Sequence, residues 1–246
     1  GRCKFMIDFY CIHKQGDAAT QEPLDDAIQS GKQYNINVIP YYGVYENIDS
    51  IIEKEKLFVN QAGAHKVTRR GKGVLGCFLS HYFLWKMSAE RNIPVGVLEY
   101  DAVFTKPLPD NILSTFDDYL NLDYTRHTHL GLSSNGSEYL KQINSEKDNK
   151  LEIKTLIENT KNKHKHHFKY INNNHIKGAF GYIIKPLGAS KLVKASIEHG
   201  ILPADVQPNL LYCDMKYTSP SIVMLNPKGL SNRYGGSHTN TGRLSS

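Results

Sequence analysis

One stretch limits the folds open to this chain more than any other: residues 73–104, GVLGCFLSHYFLWKMSAERNIPVGVLEYDAVF. Val74, Leu75, Phe78, Leu79, Tyr82, Phe83 and Trp85 recur at spacings of three and four, the period of an amphipathic helix. Asn92 and Pro94 stop it. Residues 94–98, PVGVL, then make a short apolar run typical of a central strand covered on both faces. A helix feeding a buried strand is the repeating unit of an α/β sheet.

Two acids, Glu99 and Asp101, follow at the carboxyl end of that strand. Residues i and i+2 of a strand share a face, and two carboxylates there repel unless positive charge lies between them. Ligands of open α/β sheets bind outside the carboxyl ends of the strands. A hard divalent cation joining the acids to a diphosphate suits the position. An acidic strand end that caps a helix or pairs with Lys or Arg is the equal alternative, because E-x-D is short and common.

With 246 residues, 40% of them hydrophobic, the chain suffices for one sizeable core. We expect a single domain over residues 1–246, with a polar insertion at about 135–174 and a tail at about 227–246. The net charge of +6 favours anionic partners such as nucleotide diphosphates, anionic glycolipids or a membrane surface. Its lysines are dispersed and no aromatic platform accompanies them, which argues against nucleic acid. Cys3, Cys11, Cys77 and Cys213 form no C-x-x-C pair, which argues against zinc. Cys77 reads as a small core residue inside the apolar helix. No run of roughly 18 apolar residues and no signal-peptide pattern is present, so a reduced, cytoplasmic setting with peripheral membrane contact is expected.

The rest of the chain alternates strands and helices. Residues 5–12 read as a first strand, and the loop from His13 to Asp17 as a base and ribose contact. A helix over 20–30 has Thr20 as N-cap and Pro23 in its first turn. Residues 37–44 form a strand that Pro40 confines to an edge, and 47–58 a helix. In the basic loop 63–73, Arg69, Arg70 and Lys72 are placed to meet a phosphate, or simply to be solvated. A short helix is expected over 110–119 and a strand over 128–134. The insertion carries Lys163-His164-Lys165-His166-His167, without the spacing of a metal site, and reads as a solvated excursion. A strand over 175–185 leads to a helix over 186–198, with Pro186 at N1 and Gly200 past its end. Residues 221–225 form the last strand.

Three blocks carry a family resemblance. The first is Gly73, Gly76, Cys77, Ser80, His81 and Trp85, followed by Val97-Leu98-Glu99-Tyr100-Asp101. The second is GAFGYIIKPLGASKL at 178–192, and the third is Pro203 with Asp205. Together they resemble glycosyltransferase family 25, the lipopolysaccharide-type and collagen-type sugar transferases. Tyr100 departs from the family's E-D-D, and its N-L-x-x-R start is missing. The resemblance implies a GT-A-like α/β fold, a mostly parallel central sheet flanked by helices on both faces. It implies inverting transfer of a hexose, galactose by preference, from a UDP-sugar to a hydroxyl on a glycan, glycolipid or protein. Asp101, Glu99 and His238 would hold Mn²⁺ or Mg²⁺. Arg69, Ser80, Glu99, Tyr100 and Gly178 would meet the donor. Asp205, at the start of a helix over the site, would be the base, with Asp214 as its competitor. Two alternatives stand beside this: a catalytically silent nucleotide-sugar binding module, and a nucleotidyltransferase on a similar fold.

Overall fold

The computed structural model describes residues 7–61, 71–125, 136–161, 163 and 167–229. The expected strand over 128–134, the basic loop with Arg69 and Arg70, the histidines 164–166 and the tail with His238 lie outside them.

A seven-stranded sheet organises the molecule. Its strands are β1 (Asp8–His13), β2 (Asn37–Tyr42), β3 (Val95–Glu99), β5 (Tyr119–Asn121), β6 (Glu152–Thr155), β7 (Gly181–Ile184) and β8 (Met215–Ser219). The order is β2-β1-β3-β7-β5-β8-β6. Strands β1, β2, β3, β5 and β8 run one way, and β7 and β6 run against them. The sheet is thus mostly parallel. Pro40 sits in β2, an edge strand, where its missing N–H costs nothing. A two-stranded ribbon of β4 (Ala102–Phe104) and β9 (Val223–Leu225) lies apart from it.

Both faces are covered. On one, helix α3 (Lys72–Arg91) and helix α6 (Pro186–His199) bury Phe78, Leu79, Tyr82, Trp85, Ala189 and Leu192 against Val95, Val97 and Tyr182. On the other, helix α1 (Ala18–Gln33) and the β4–β9 ribbon close over Phe9, Cys11, Leu98 and Ile183. Helix α3 has the span its periodicity implies, and Asn92 ends it in the left-handed region at φ 54°. Pro186 opens α6 and Gly200 follows it at φ 88°.

Local departures have local causes. Asp17, not Thr20, caps α1, accepting from the Ala19 N–H at 2.9 Å. Thr20 is buried and donates to the Lys14 and Asp17 carbonyls, and Pro23 lies inside the helix. Helix α2 (Ile48–Lys54) is shorter than expected. Residues 110–119 hold only a 3-10 turn at Ile112–Ser114 before the buried strand β5. The insertion is not merely a solvated excursion. It supplies helix α4 (Gly136–Glu146), the edge strand β6 and helix α5 (His167–Asn173). Tyr139 of α4 is fully buried, and its hydroxyl accepts from the Leu225 N–H at 3.1 Å.

The loop after β2 presses on α3 where that helix has no side chain. A Cβ at Gly76 would fall 2.4 Å from the Val44 carbonyl oxygen, a backbone atom that cannot swing aside. Ser80, one turn on, accepts from the Val44 N–H and donates to the Gly76 carbonyl, both at 2.8 Å. We expect Gly76→Ala to push this loop off the helix and cost about 1–3 kcal/mol. An unchanged midpoint in denaturant unfolding would contradict the close approach.

Candidate functional site

The carboxyl ends of β1, β2 and β3 lie side by side. Ile12 is opposite Glu99 in the register, and the Tyr100 N–H donates to the Ile12 carbonyl at 3.0 Å. His13 ends β1 almost fully buried, edge-on to Tyr42 at 5.1 Å between ring centres. Lys14 Nζ lies 5.5 Å above the ring of Tyr45. Tyr42 and Tyr45 keep 60% and 45% of their surface in solvent, so this edge presents aromatic faces to a ligand. Burial raises the Tyr45 phenol to about 12, helped by the fields of Tyr100, Cys77 and Glu99.

Helix α3 lays Cys77 and His81, one turn apart, against Glu99. Cys77 Sγ is 3.9 Å from Glu99 Oε1, and His81 Nε2 is 3.4 Å from the same oxygen. The His81 ring is 1% exposed and stacks on Tyr182 at 5.8 Å. Its Nδ1 meets the Tyr182 hydroxyl at 2.8 Å, and Trp85 Nε1 donates to that same hydroxyl at 2.8 Å. Indole N–H can only donate. If the Tyr182 hydroxyl donates to Nδ1, the imidazole proton sits on Nε2, which lies 3.4 Å from Glu99 Oε1 without forming a hydrogen bond.

Cys77 corrects the sequence reading: it is exposed, not core. Burial still raises its pKa, followed by the fields of Glu99, Asp205 and Asp101. Burial, Asp101 and Glu99 likewise raise the Cys11 thiol. Glu99, Asp101 and Asp205, from two distant segments, thus all act through their charge on the Cys77 thiol. No ammonium or guanidinium among the described residues forms an ion pair with Glu99.

The route by which Asp101 arrives differs from expectation. Strand β3 stops at Glu99, and Tyr100 and Asp101 form a turn into β4. The two acids are therefore not successive same-face residues of one strand. The Asn226 N–H holds the Asp101 carbonyl at 2.7 Å. Asp205 is half-buried in a turn, not at a helix start, with the Val206 and Gln207 N–H groups both bonding the Pro203 carbonyl. Asp214 is removed as a competitor. It precedes β8, whose first residue is level with Tyr119, and Tyr119 and Val95 both face Ile184. That is the opposite end of the sheet, about 13 Å from Glu99 by strand rise.

Other expected contacts find different occupations. Ser80 is 1% exposed, and its hydroxyl is committed to Val44 and Gly76. Lys72 pairs with Asp49 at 2.9 Å on the surface. Gly178 takes φ +90°, and a Cβ there would fall 2.9 Å from the Phe180 ring and 3.8 Å from Asp123 Oδ1. Tyr100 is half-buried against the cluster around Phe9 and Cys11.

The sequence reading passed over Asp123. It follows β5 and is fully buried. It accepts from Asn121 Nδ2 at 2.9 Å and from the Gly181 N–H at 2.8 Å. Burial raises its carboxyl to about 7, opposed by those hydrogen bonds and aided by Glu99. Tyr45 and the i, i+4 pair Cys77 and His81 were also passed over. Only the pair had a visible signal, its helical spacing.

Residues 26–207 match the family described as Glycosyltransferase family 25 (LPS biosynthesis protein). Mouse xyloside xylosyltransferase 1, in its apo form, is a structural neighbour at 8% identity and a TM-score of 0.36, over 84% of this chain and 81% of that one. No curated protein matches the sequence. No helix among the described residues is long and apolar enough to cross a membrane.

Asp123 makes stability depend on pH in a definite direction. Its folded pKa of about 7 exceeds the ordinary carboxyl value of 3.8, so the folded state holds the proton more tightly. The resulting stabilisation is complete below about pH 4 and is lost as pH rises through about 7. Denaturant unfolding of wild type and Asp123→Asn at several pH values should show the wild type losing stability relative to the variant, by about 4 kcal/mol in all, as pH rises through that window. A difference that stays flat would refute the raised pKa.

Proposed function

The chain belongs to glycosyltransferase family 25, and on that premise we propose that it moves a hexose, galactose by preference, from a UDP-sugar to an acceptor hydroxyl with inversion. The acceptor class is a glycan, a lipopolysaccharide or a protein side chain. One observation carries the reading: β3 delivers the Glu99 carboxylate to the carboxyl end of the sheet, Asp101 follows in the turn, and among the described residues only His81 pairs with Glu99.

In this reading the uracil and ribose lie along the aromatic edge formed by His13, Tyr42 and Tyr45. Glu99 and Asp101 suit a divalent cation, Mn²⁺ or Mg²⁺, as hard oxygen donors at and just past the end of β3, and among the described residues only His81 pairs with Glu99. Bound there, the cation would neutralise charge on the departing diphosphate. His238 is the proposed third ligand. The segment leading to it starts beside Asp101, where Asn226 grips the acid's carbonyl. His238 lies nine positions beyond Gly229, a reach of about 30 Å when extended. Arg69 would add positive charge at the phosphates.

Asp205 takes the proton from the attacking hydroxyl. It stands on a different loop from the cation-holding acids. Inversion by direct displacement requires the base and the cation on opposite sides of the anomeric carbon. Tyr100 in place of an acid favours a second reading, a nucleotide-sugar binding module without turnover. Cation-dependent UDP binding with no acceptor glycosylated would identify that case. Release of pyrophosphate in place of UDP would mark a nucleotidyltransferase.

A screen of UDP-sugars with Mn²⁺, read as UDP release, tests the proposal. Asp205→Asn should lower kcat by roughly a hundred- to ten-thousand-fold with donor binding intact. Asp101→Asn should raise the Mn²⁺ concentration needed for turnover. Turnover unaltered in both variants would sink the assignment.

A further inference from the structure

Cys77, His81 and Glu99 bring a thiol, an imidazole and a carboxylate to one point, each offering a donor atom within 4.8 Å of the other two. We propose that these three residues form a site for a thiophilic divalent cation of the zinc type, distinct in ligand chemistry from an oxygen-only site for Mn²⁺ or Mg²⁺. The proposal stands on geometry and does not need the transferase reading.

Zinc bonds of about 2.3 Å to sulfur and about 2.0–2.2 Å to nitrogen and oxygen, at a tetrahedral angle, put neighbouring donors about 3.3–3.6 Å apart. The structure holds His81 Nε2 and Glu99 Oε1 at 3.4 Å and Cys77 Sγ and Glu99 Oε1 at 3.9 Å. The His81–Glu99 distance already matches, the Cys77–Glu99 distance exceeds the range by a few tenths of an ångström, and Cys77 and His81 lie within 4.8 Å of each other. Two donors come from one helix face at i and i+4, on a rigid element. The third comes from the end of a buried strand.

His81 supplies the independent sign. Its Nε2 is buried, forms no hydrogen bond, and faces Glu99. Its other nitrogen already meets a hydroxyl, as the non-ligating nitrogen of a metal-bound histidine does. Coordination needs the Nε2 lone pair, so the imidazole proton moves to Nδ1 and is donated to the Tyr182 oxygen. That oxygen has two lone pairs, and Trp85 occupies one. The Cys77 thiol gives up its proton to solvent on binding. Its pKa is raised by burial and three acids, and an arriving double positive charge reverses that field. Cys77 is exposed and Glu99 keeps 28% of its side chain in solvent, so a fourth position opens to the crevice. Because Glu99 is shared, zinc there would withdraw it from a hard cation.

The test uses the full chain, stripped of metal and kept reduced without a thiol reagent. Co²⁺ serves as the spectroscopic stand-in for zinc. Titration should give a sulfur-to-cobalt charge-transfer band in the near ultraviolet with the strong visible bands of a four-coordinate ion. Zn²⁺ should abolish them at stoichiometric amounts, and Mg²⁺ should not. Cys77→Ser, at an exposed position that leaves the fold intact, should lose the charge-transfer band, and His81→Gln should weaken binding about tenfold or more. Absence of the band in wild type, or its persistence in Cys77→Ser, would overturn the site. Sugar transfer is not read, so this result and the fate of the transferase assignment are separable.

Discussion

The hydroxyl of Tyr182 is the point on which the two halves of the crevice are hung. It joins Trp85 and His81 of α3 to strand β7 inside a region that excludes water. A buried polar group without partners is costly, and one fully satisfied fixes a single geometry. Helix α3 is otherwise held to the sheet by apolar side chains, which tolerate sliding. The pair of hydrogen bonds does not. They set the rotation of α3, and with it the direction in which Cys77 and His81 face Glu99. Tyr119 stacks on Tyr182 at 4.7 Å and keeps the ring from turning.

Small residues make that close assembly possible on the other face. A Cβ at Gly96 would meet the Phe9 ring at 2.5 Å, and one at Gly181 would meet Val223 at 2.7 Å. These glycines lie on adjacent strands, β3 and β7. Their bare backbone lets Phe9 and the β9 ribbon lie flat over the sheet. The ribbon then carries Asn226 to Asp101, which is how an acid outside any long strand comes to be fixed. Charge is arranged locally against the total. The chain sums to +6, yet the crevice is negative. Several lysines spend their charge elsewhere, as in the pairs Lys191–Asp118 at 2.5 Å and Lys228–Asp26 at 3.0 Å. Net charge therefore pointed to anionic partners without saying where the acids Glu99 and Asp101 would lie.

What could be read from the residues was what repeats. The period of α3, the apolar runs of β1, β3 and β7 and the edge position of Pro40 all carry a signal spread over several residues. Strand β6 carries none: Glu152, Lys154 and Thr155 are exposed, and its place in the sheet is set by pairing with β8. Strand β5 is three residues long, too short for any period. Asp123 looked like one more polar residue after it, because a carboxyl's role here comes from burial, and burial is decided by β7. Cys77 misled for the opposite reason. Its neighbours on the helix are core, but the crevice cuts in at that one position. The acids 99, 101 and 205 were legible as residue types, while their meeting depended on a turn at Tyr100 that strand geometry did not anticipate.

That turn also gives Tyr100 a physical meaning. Had β3 continued, residue 100 would have pointed away from the face shared by Glu99 and Asp101. Because the chain bends there, its side chain falls against the apolar cluster around Phe9 and Cys11. An acid in that place would have to be partly desolvated beside two others, each already raising the pKa of nearby thiols. A phenol fills the volume without adding charge. The crevice draws its third carboxylate from the 203–207 turn instead. Counting acids in a short motif therefore understates the negative potential of this site, since the potential is assembled from loops that only the folded sheet brings together.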